Sequence, residues 1–106
     1  GLIDGPSAGA AVAIAILSAV TERPIRQDVA ITGEISIRGK VKGVGGIIEK
    51  IYGARQAGVK TVIIPRDNAM DSPPDLRGIN VVTVEHIEEI FPYVFEDERP
   101  FSISAS

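Results

Sequence analysis

A run of eight apolar residues, 10–17, constrains the fold more than any other stretch of the chain. It follows a polar turn, residues 4–7 (Asp-Gly-Pro-Ser), and is rich in alanine, the best helix former. Ser7 is a favoured N-cap type and Pro24 stops a helix, so we predict a helix over residues 7–20. Because apolar residues lie all round this helix, we expect it to be buried on every side.

The remainder of the chain alternates between strand and helix patterns. Residues 29–37 predict a β-strand, followed by a turn at 38–40 and a returning strand at 41–44. A second helix is predicted over residues 47–57, closed by Gly58, and a buried strand over 61–64. A loop over 66–78, a strand over 80–84 and a helix over 86–95, which Pro92 kinks or ends early, complete the chain. This order predicts an α/β (α+β) fold, with packed helices on a small mixed sheet.

Length and composition exclude several classes of protein. The 106 residues suffice for one small domain, and 44% hydrophobic with 24% charged residues argues against wholesale disorder. A net charge of −3 and few aromatic residues argue against a nucleic-acid binder. The chain has no cysteine, which fits a reducing compartment, and its longest apolar run is too short for a membrane span of about 20 residues. It begins without methionine, so we expect a cut end.

Two familiar kinds of binding site are not supported. The glycines of residues 43–46 do not complete a dinucleotide fingerprint because Ile48 stands where a glycine is needed, and we expect them to form a tight hairpin-to-helix connection. His86, the single histidine, lies among acidic residues and is expected to be solvated. We therefore expect no metal site, and a solvated face for the carboxylates Asp71, Asp75, Glu85, Glu88 and Glu89.

A serine paired with a lysine remains as the candidate chemistry. A serine hydroxyl needs a base, and a desolvated neutral lysine can serve when histidine is unavailable. On a helical wheel Lys50 borders the apolar stripe of the second helix, whereas Glu49 and Gln56 face away. The residues alone leave plainer alternatives open: Ser7 as a helix cap, and Lys50 as a lysine that extends its amine into water. The other three lysines of the chain are predicted to be solvated: Lys40, Lys42 and Lys60.

Four blocks of sequence, taken in order, resemble the proteolytic domain of Lon proteases. They are residues 4–9 (DGPSAG), 32–39 (TGEISIRG), 45–50 (GGIIEK) and 57–65 (AGVKTVIIP). Residues 35–56 are most similar to the bacterial LonB-like branch. The resemblance covers roughly residues 1–95 and implies the C-terminal part of a Lon proteolytic-domain fold, incomplete at its N-terminus, with residues 96–106 as a flexible tail.

The resemblance also implies roles for individual residues. Ser7 is then the acylated nucleophile and Lys50 the general base of a Ser-Lys dyad. Thr32 matches the family threonine whose hydroxyl helps to hold the lysine amine, and Asp4 belongs to the nucleophile motif and shapes its turn. Pro6 has no N–H, so the oxyanion donors are expected to be the Ser7 amide and one from elsewhere.

The function implied is that of a cytoplasmic, ATP-dependent serine endopeptidase that degrades unfolded or damaged proteins. Family members form homo-hexamers, and we expect ATP and magnesium in an upstream ATPase module and no cofactor in this chain. Without that module an isolated chain can be inactive. Two other interpretations are a non-catalytic scaffold like that of RadA-like ring proteins, which has no need of Ser7 and Lys50 together, and a structural remnant of a processed protein.

Overall fold

The computed structural model describes residues 9–73 and 76–96. Its helices are α1 (Gly9–Thr21), α2 (Ile47–Gln56) and α3 (Phe91–Val94). Its strands are β1 (Val29–Ile31), β2 (Glu34–Ile35), β3 (Val41–Lys42), β4 (Thr61–Pro65) and β5 (Asn80–Val84). Two 3-10 turns, Arg66–Asp71 and Ile87–Ile90, follow β4 and precede α3.

Three strands form a parallel sheet in the order β1-β4-β5. Val29 pairs with Thr61 at one end of the sheet, and Pro65 pairs with Val84 at the other. Strands β2 and β3 form a separate antiparallel hairpin in which Ile35 lies opposite Val41. The mixture of parallel and antiparallel pairing confirms the predicted α/β fold.

The parallel sheet lies between α1 and α2. Successive side chains of β4 alternate between its faces, so Ile63 belongs to the core that contains Ala10 and Ile14 of α1. Val62 and Ile64 belong to the core on the opposite face, which contains residues of α2. Both faces of the central strand are therefore buried, as the continuous apolar run of residues 61–64 predicted.

The single strand predicted over residues 29–37 is wrong. The chain divides after Ile31, where β1 ends, and Gly33 adopts a φ of +139° that side chains rarely tolerate. A Cβ at Gly33 would lie 2.8 Å from Val41 Cγ1, so glycine is also required sterically. This change of direction sends β1 into the parallel sheet and β2 into the hairpin.

The expectation that the first helix is buried on every side is also wrong. Ala10, Ala11 and Ile14 are buried, but Ile16 is 57% exposed and Val20 is 75% exposed. In the described part of the chain the sheet packs against one side of α1, so its apolar composition does not translate into uniform burial. Residues 7 and 8 of the predicted helix lie outside the described residues.

The later elements follow the predictions more closely. Helix α2 ends at Gln56, and Gly58 has a φ of +84°, the left-handed conformation expected just after a helix. The predicted loop at 66–78 begins with the 3-10 turn Arg66–Asp71. The predicted last helix is a 3-10 turn followed by α3, and Pro92 lies in the first turn of α3, where a missing N–H costs little.

Candidate active site

The carboxyl ends of β1 and β4 lie at the same edge of the sheet because these strands are parallel. Thr32 follows β1 at this edge, and its N–H donates a hydrogen bond to the Ile63 carbonyl (2.9 Å). The residue is 7% exposed, and its hydroxyl has no hydrogen-bond partner within the part of the chain that the structure describes. A buried hydroxyl is normally hydrogen-bonded, so Thr32 is a candidate functional residue.

The start of α1 is fixed against the chain that follows Thr32. The Ala10 N–H donates to the Gly33 carbonyl at 3.0 Å, which joins the first helix to the end of β1. Gly9 packs against the backbone of β2, since a Cβ at this position would lie 3.1 Å from the Ile35 nitrogen. The start of α1 is therefore tethered near this sheet edge.

Lys50 lies in the first turn of α2. Its N–H donates to the Gly46 carbonyl at 3.1 Å, and Gly46 has the left-handed backbone angles φ 73° and ψ 25°. The side chain leans towards the helix start, since its Cε would lie 3.9 Å from a Cβ placed on Gly46. Lys50 is half-buried, in agreement with its predicted place at the border of the apolar stripe.

Asn68 fixes the chain that leads into α2. Its Oδ1 accepts from the Val44 N–H (2.9 Å), and its Nδ2 donates to the Val44 carbonyl (2.8 Å) and to Asp71 Oδ2 (2.8 Å). Because Asn68 follows β4, these bonds hold the entry to α2 at the carboxyl edge of the sheet. Asn68 lies in the stretch predicted to be a loop, 66–78, for which the sequence indicates no role. The signal that could have found it is a polar residue just after a buried parallel strand, where binding sites concentrate.

The sequence-predicted site residues divide into two groups. Thr32 and Lys50 are described, and the segments that carry them meet the same edge of the parallel sheet. Ser7 and Asp4 lie outside the described residues. The exposed lysines agree with their predicted solvation: Lys40, Lys42 and Lys60.

The acidic residues near His86 form a separate surface network. The Glu89 carboxylate accepts hydrogen bonds from the N–H groups of His86 (2.7 Å) and Glu85 (3.0 Å). These bonds hold the pKa of Glu89 below its usual value, with a smaller contribution from the charge of Arg66. Arg66 also forms an ion pair with Glu85 (2.8 Å), and His86 is exposed, as predicted.

Over residues 9–73 and 76–96, no three metal-ligating side chains come together in a group that could hold an ion. None of the helices in these ranges has the length and apolar character needed to cross a bilayer.

Comparison with known sequences decides the family. A family model, the Lon protease (S16) C-terminal proteolytic domain, matches residues 3–97. The chain belongs to the Lon protease family. The Lon protease 2 of Herpetosiphon aurantiacus is 49% identical over 96 residues, covering 87% of this chain and 12% of that protein.

Lon proteases from distant organisms show similar agreement. The Lon protease of Roseiflexus castenholzii is 48% identical over 95 residues, covering 86% of this chain and 12% of that protein. The mitochondrial Lon protease homologue of Homo sapiens is 46% identical over 101 residues, covering 91% of this chain and 10% of that protein. The chain thus spans about an eighth of these Lon proteins or less, within the proteolytic part.

Proposed function

We propose that this chain carries the peptide-cleaving dyad of a Lon-type serine endopeptidase, with Ser7 as nucleophile and Lys50 as base. The observation that supports this most is the attachment of two helix starts to one edge of the parallel sheet. Ala10 ties the start of α1 to Gly33, and Asn68 ties the entry of α2 to the end of β4. The two helices that adjoin or carry the proposed dyad therefore begin at a common edge.

Only Ala8 separates Ser7 from Gly9, the first residue of α1, in the sequence. Backbone N–H groups at a helix start are unsatisfied by the helix itself and carry partial positive charge. Such groups suit the stabilisation of a negatively charged oxygen next to the nucleophile.

The proposed reaction is acyl transfer through Ser7. The neutral amine of Lys50 accepts the hydroxyl proton while Ser7 Oγ attacks the carbonyl carbon of the peptide, which forms a tetrahedral oxyanion. The Lys50 ammonium then returns the proton to the leaving amine, and the peptide C–N bond breaks to leave an ester on Ser7. A water molecule, deprotonated by Lys50, hydrolyses that ester and regenerates both residues.

Two further residues complete the proposed site. The hydroxyl of Thr32 is buried and has no hydrogen-bond partner among the described residues. This supports a role as hydrogen-bond partner of the Lys50 amine, which needs acceptors when it is protonated. Asp4 shapes the turn that presents Ser7.

The whole-protein function is also a proposal. We infer an ATP-dependent, cytoplasmic homo-hexamer that degrades unfolded or damaged proteins, with ATP and magnesium bound by an upstream ATPase module. Gly43 is covered by neighbouring side chains, since a Cβ there would lie 3.0 Å from Asp67 Cβ and 3.3 Å from Asn68 Oδ1. The chain here contributes peptide cleavage, and none of the proposed acyl-transfer steps uses the nucleotide.

The test uses the full-length protein that contains this chain. Cleavage of casein and of a fluorogenic peptide is measured for the wild type and for Ser7→Ala and Lys50→Ala, with Lys42→Ala as the control at an exposed lysine. We expect both dyad substitutions to lower kcat by at least roughly 10³-fold, as for other nucleophile–base pairs, and the control to remain active.

A fluorophosphonate probe provides an independent measurement. Labelling that disappears in Ser7→Ala supports the enzyme. Turnover that survives both dyad substitutions contradicts the dyad. DNA binding without labelling of Ser7 favours the non-catalytic scaffold instead.

A further inference from the structure

Asn68 is a buried polar side chain for which the proposed reaction has no direct use. It is 7% exposed, and both protons of its amide nitrogen are engaged, one by Val44 and one by Asp71. Its Oδ1 accepts from the Val44 N–H, so the Asn68 amide satisfies both the N–H and the carbonyl of Val44. The side chain thus gives Val44 the same pair of hydrogen bonds, to its N–H and to its carbonyl, that a neighbouring β-strand would give.

The backbone that leads into α2 approaches the Asn68 side chain closely. A Cβ on Gly43 would lie 3.3 Å from Asn68 Oδ1 and 3.0 Å from Asp67 Cβ, so the backbone approaches closely because residue 43 is glycine. Val44 also packs against the core that contains Ile47. Hydrogen bonds and apolar packing therefore fix this segment from two sides.

This segment leads directly to Lys50. Val44 is two residues before Gly46, whose carbonyl accepts the N–H of Lys50 and whose left-handed backbone begins α2. The Lys50 side chain leans back over Gly46. A displacement of residues 44–46 therefore moves the helix turn and the lysine together.

We propose that Asn68 is the positioning residue for Lys50: its two hydrogen bonds to Val44 set where the base stands at the sheet edge. This role rests on the proposed function of Lys50 as the general base. A base must lie about 2.6–3.2 Å from the hydroxyl whose proton it takes, and a misplacement of about 1 Å can cost roughly 100-fold in rate. Substitution of Asn68 therefore lowers kcat while leaving substrate binding almost intact.

The experiment is a double-mutant cycle in the full-length protein, with a fluorogenic peptide as substrate. Asn68→Ala removes both bonds to Val44, and we expect kcat to fall roughly 10- to 100-fold with KM changed by less than about threefold. In the Lys50→Ala background the same substitution is expected to change the residual rate by less than about twofold, because Asn68 acts through Lys50. Equal losses in both backgrounds would overturn the assignment and indicate a general structural role.

Two further variants separate positioning from loss of stability. Asn68→Asp keeps the shape and the acceptor for the Val44 N–H but turns a carboxylate oxygen towards the Val44 carbonyl and Asp71 Oδ2. Because this oxygen cannot donate and repels both groups, kcat is expected to fall at least as far as in Asn68→Ala. Ser18→Ala is the control, since it removes one hydrogen bond to the Arg23 carbonyl (2.6 Å) at the far end of α1. It is expected to retain wild-type kcat.

The outcomes distinguish this inference from the proposed function. If Lys50→Ala loses turnover while Asn68→Ala folds and keeps its kcat, the positioning role of Asn68 is refuted. The proposed dyad is not affected by that result. Wild-type turnover in Lys50→Ala refutes the dyad and the positioning role together. Should Asn68→Ala unfold, judged by its melting temperature, the same comparison is made with Asn68→Asp, and an unchanged kcat in that variant refutes the role.

Discussion

The Ala10 N–H donates a hydrogen bond to the Gly33 carbonyl at 3.0 Å and thereby joins the first turn of α1 to the bend at the end of β1. Thr32 immediately precedes that bend, and Gly33 holds a φ of +139° there. The position of the first helix thus depends on one glycine conformation more than twenty residues away in sequence.

Gly33→Ala is expected to destabilise the domain by roughly 2–4 kcal/mol. The new Cβ would lie 2.8 Å from Val41 Cγ1 and 3.1 Å from Pro65 Cγ, on a backbone that alanine rarely adopts. Calorimetric unfolding of this domain checks the effect. Gly45→Ala is the control, because a Cβ there meets nothing within 4 Å, and an equal loss in both variants would contradict the steric explanation.

Thr32→Val is expected to separate stability from activity. Valine has a similar shape and removes a buried hydroxyl that has no partner among the described residues, so the free energy of unfolding should stay constant or rise by up to about 1 kcal/mol. Peptide cleavage should fall by roughly tenfold or more, because the proposed partner of the Lys50 amine is lost.

The matched control for Thr32→Val is Thr61→Val. Thr61 is half-buried at the opposite end of the same parallel sheet, and its substitution should leave cleavage unchanged. Full activity in Thr32→Val would remove Thr32 from the site.

Two glycines at the second helix should respond to alanine with opposite signs. Gly53 lies inside α2 with open space around it, so Gly53→Ala should stabilise the domain by roughly 0.5–1 kcal/mol. Gly58 also has open space but holds a φ of +84°, so Gly58→Ala should destabilise it by about 1 kcal/mol. Thermal unfolding of both variants tests the prediction, and shifts of the same sign would contradict it.

Glu89→Gln is expected to lose stability in a pH-dependent way. The His86 and Glu85 N–H groups bond to the Glu89 carboxylate and lower its pKa from the ordinary value of 4.5. A carboxylate whose pKa is lower in the folded state stabilises the fold when the pH is above its ordinary pKa. This stabilisation disappears as the pH falls through the folded-state pKa. Glu89→Gln should therefore be less stable than wild type at pH 7, and the difference should shrink below pH 4.5.

Urea unfolding at neutral and at acidic pH measures this difference. Glu88→Gln, an exposed neighbour on the same turn, is the control. A stability difference between Glu89→Gln and wild type that stays constant across this range would show that the hydrogen-bonded charge contributes nothing.

Local patterns predicted several elements because their signals are complete within a few residues. The 3.6-residue period of α2 gives its buried residues Ile47 and Ile51 and also places Lys50 at the border of the buried face. The β-branched runs of β4 and β5 gave their positions in the same way. Gly58 was identified as the residue after α2 because glycine is preferred in the left-handed conformation.

Elements whose form depends on distant partners could not be predicted in the same way. Gly33 interrupts the β-branched run 29–37, but the run alone does not show that the strand divides there, because β1 pairs with β4 some thirty residues later. The apolar composition of α1 does not reveal which side meets the sheet. Asn68 was missed because its partner, Val44, is 24 residues away. The roles of Ser7 and Asp4, which lie outside the described residues, stay predictions, as do those of Lys50 and Thr32.

The parallel pairing of β1 with β4 has a consequence for the life of a newly made chain. Parallel neighbours cannot be joined by a tight turn, so the hairpin and α2 must be synthesised before Thr61 can align with Val29. Until that long loop closes, Thr32 and the start of α2 have no common edge. A nascent copy with the proposed dyad is therefore expected to be unable to cleave peptides until this part of the fold has formed.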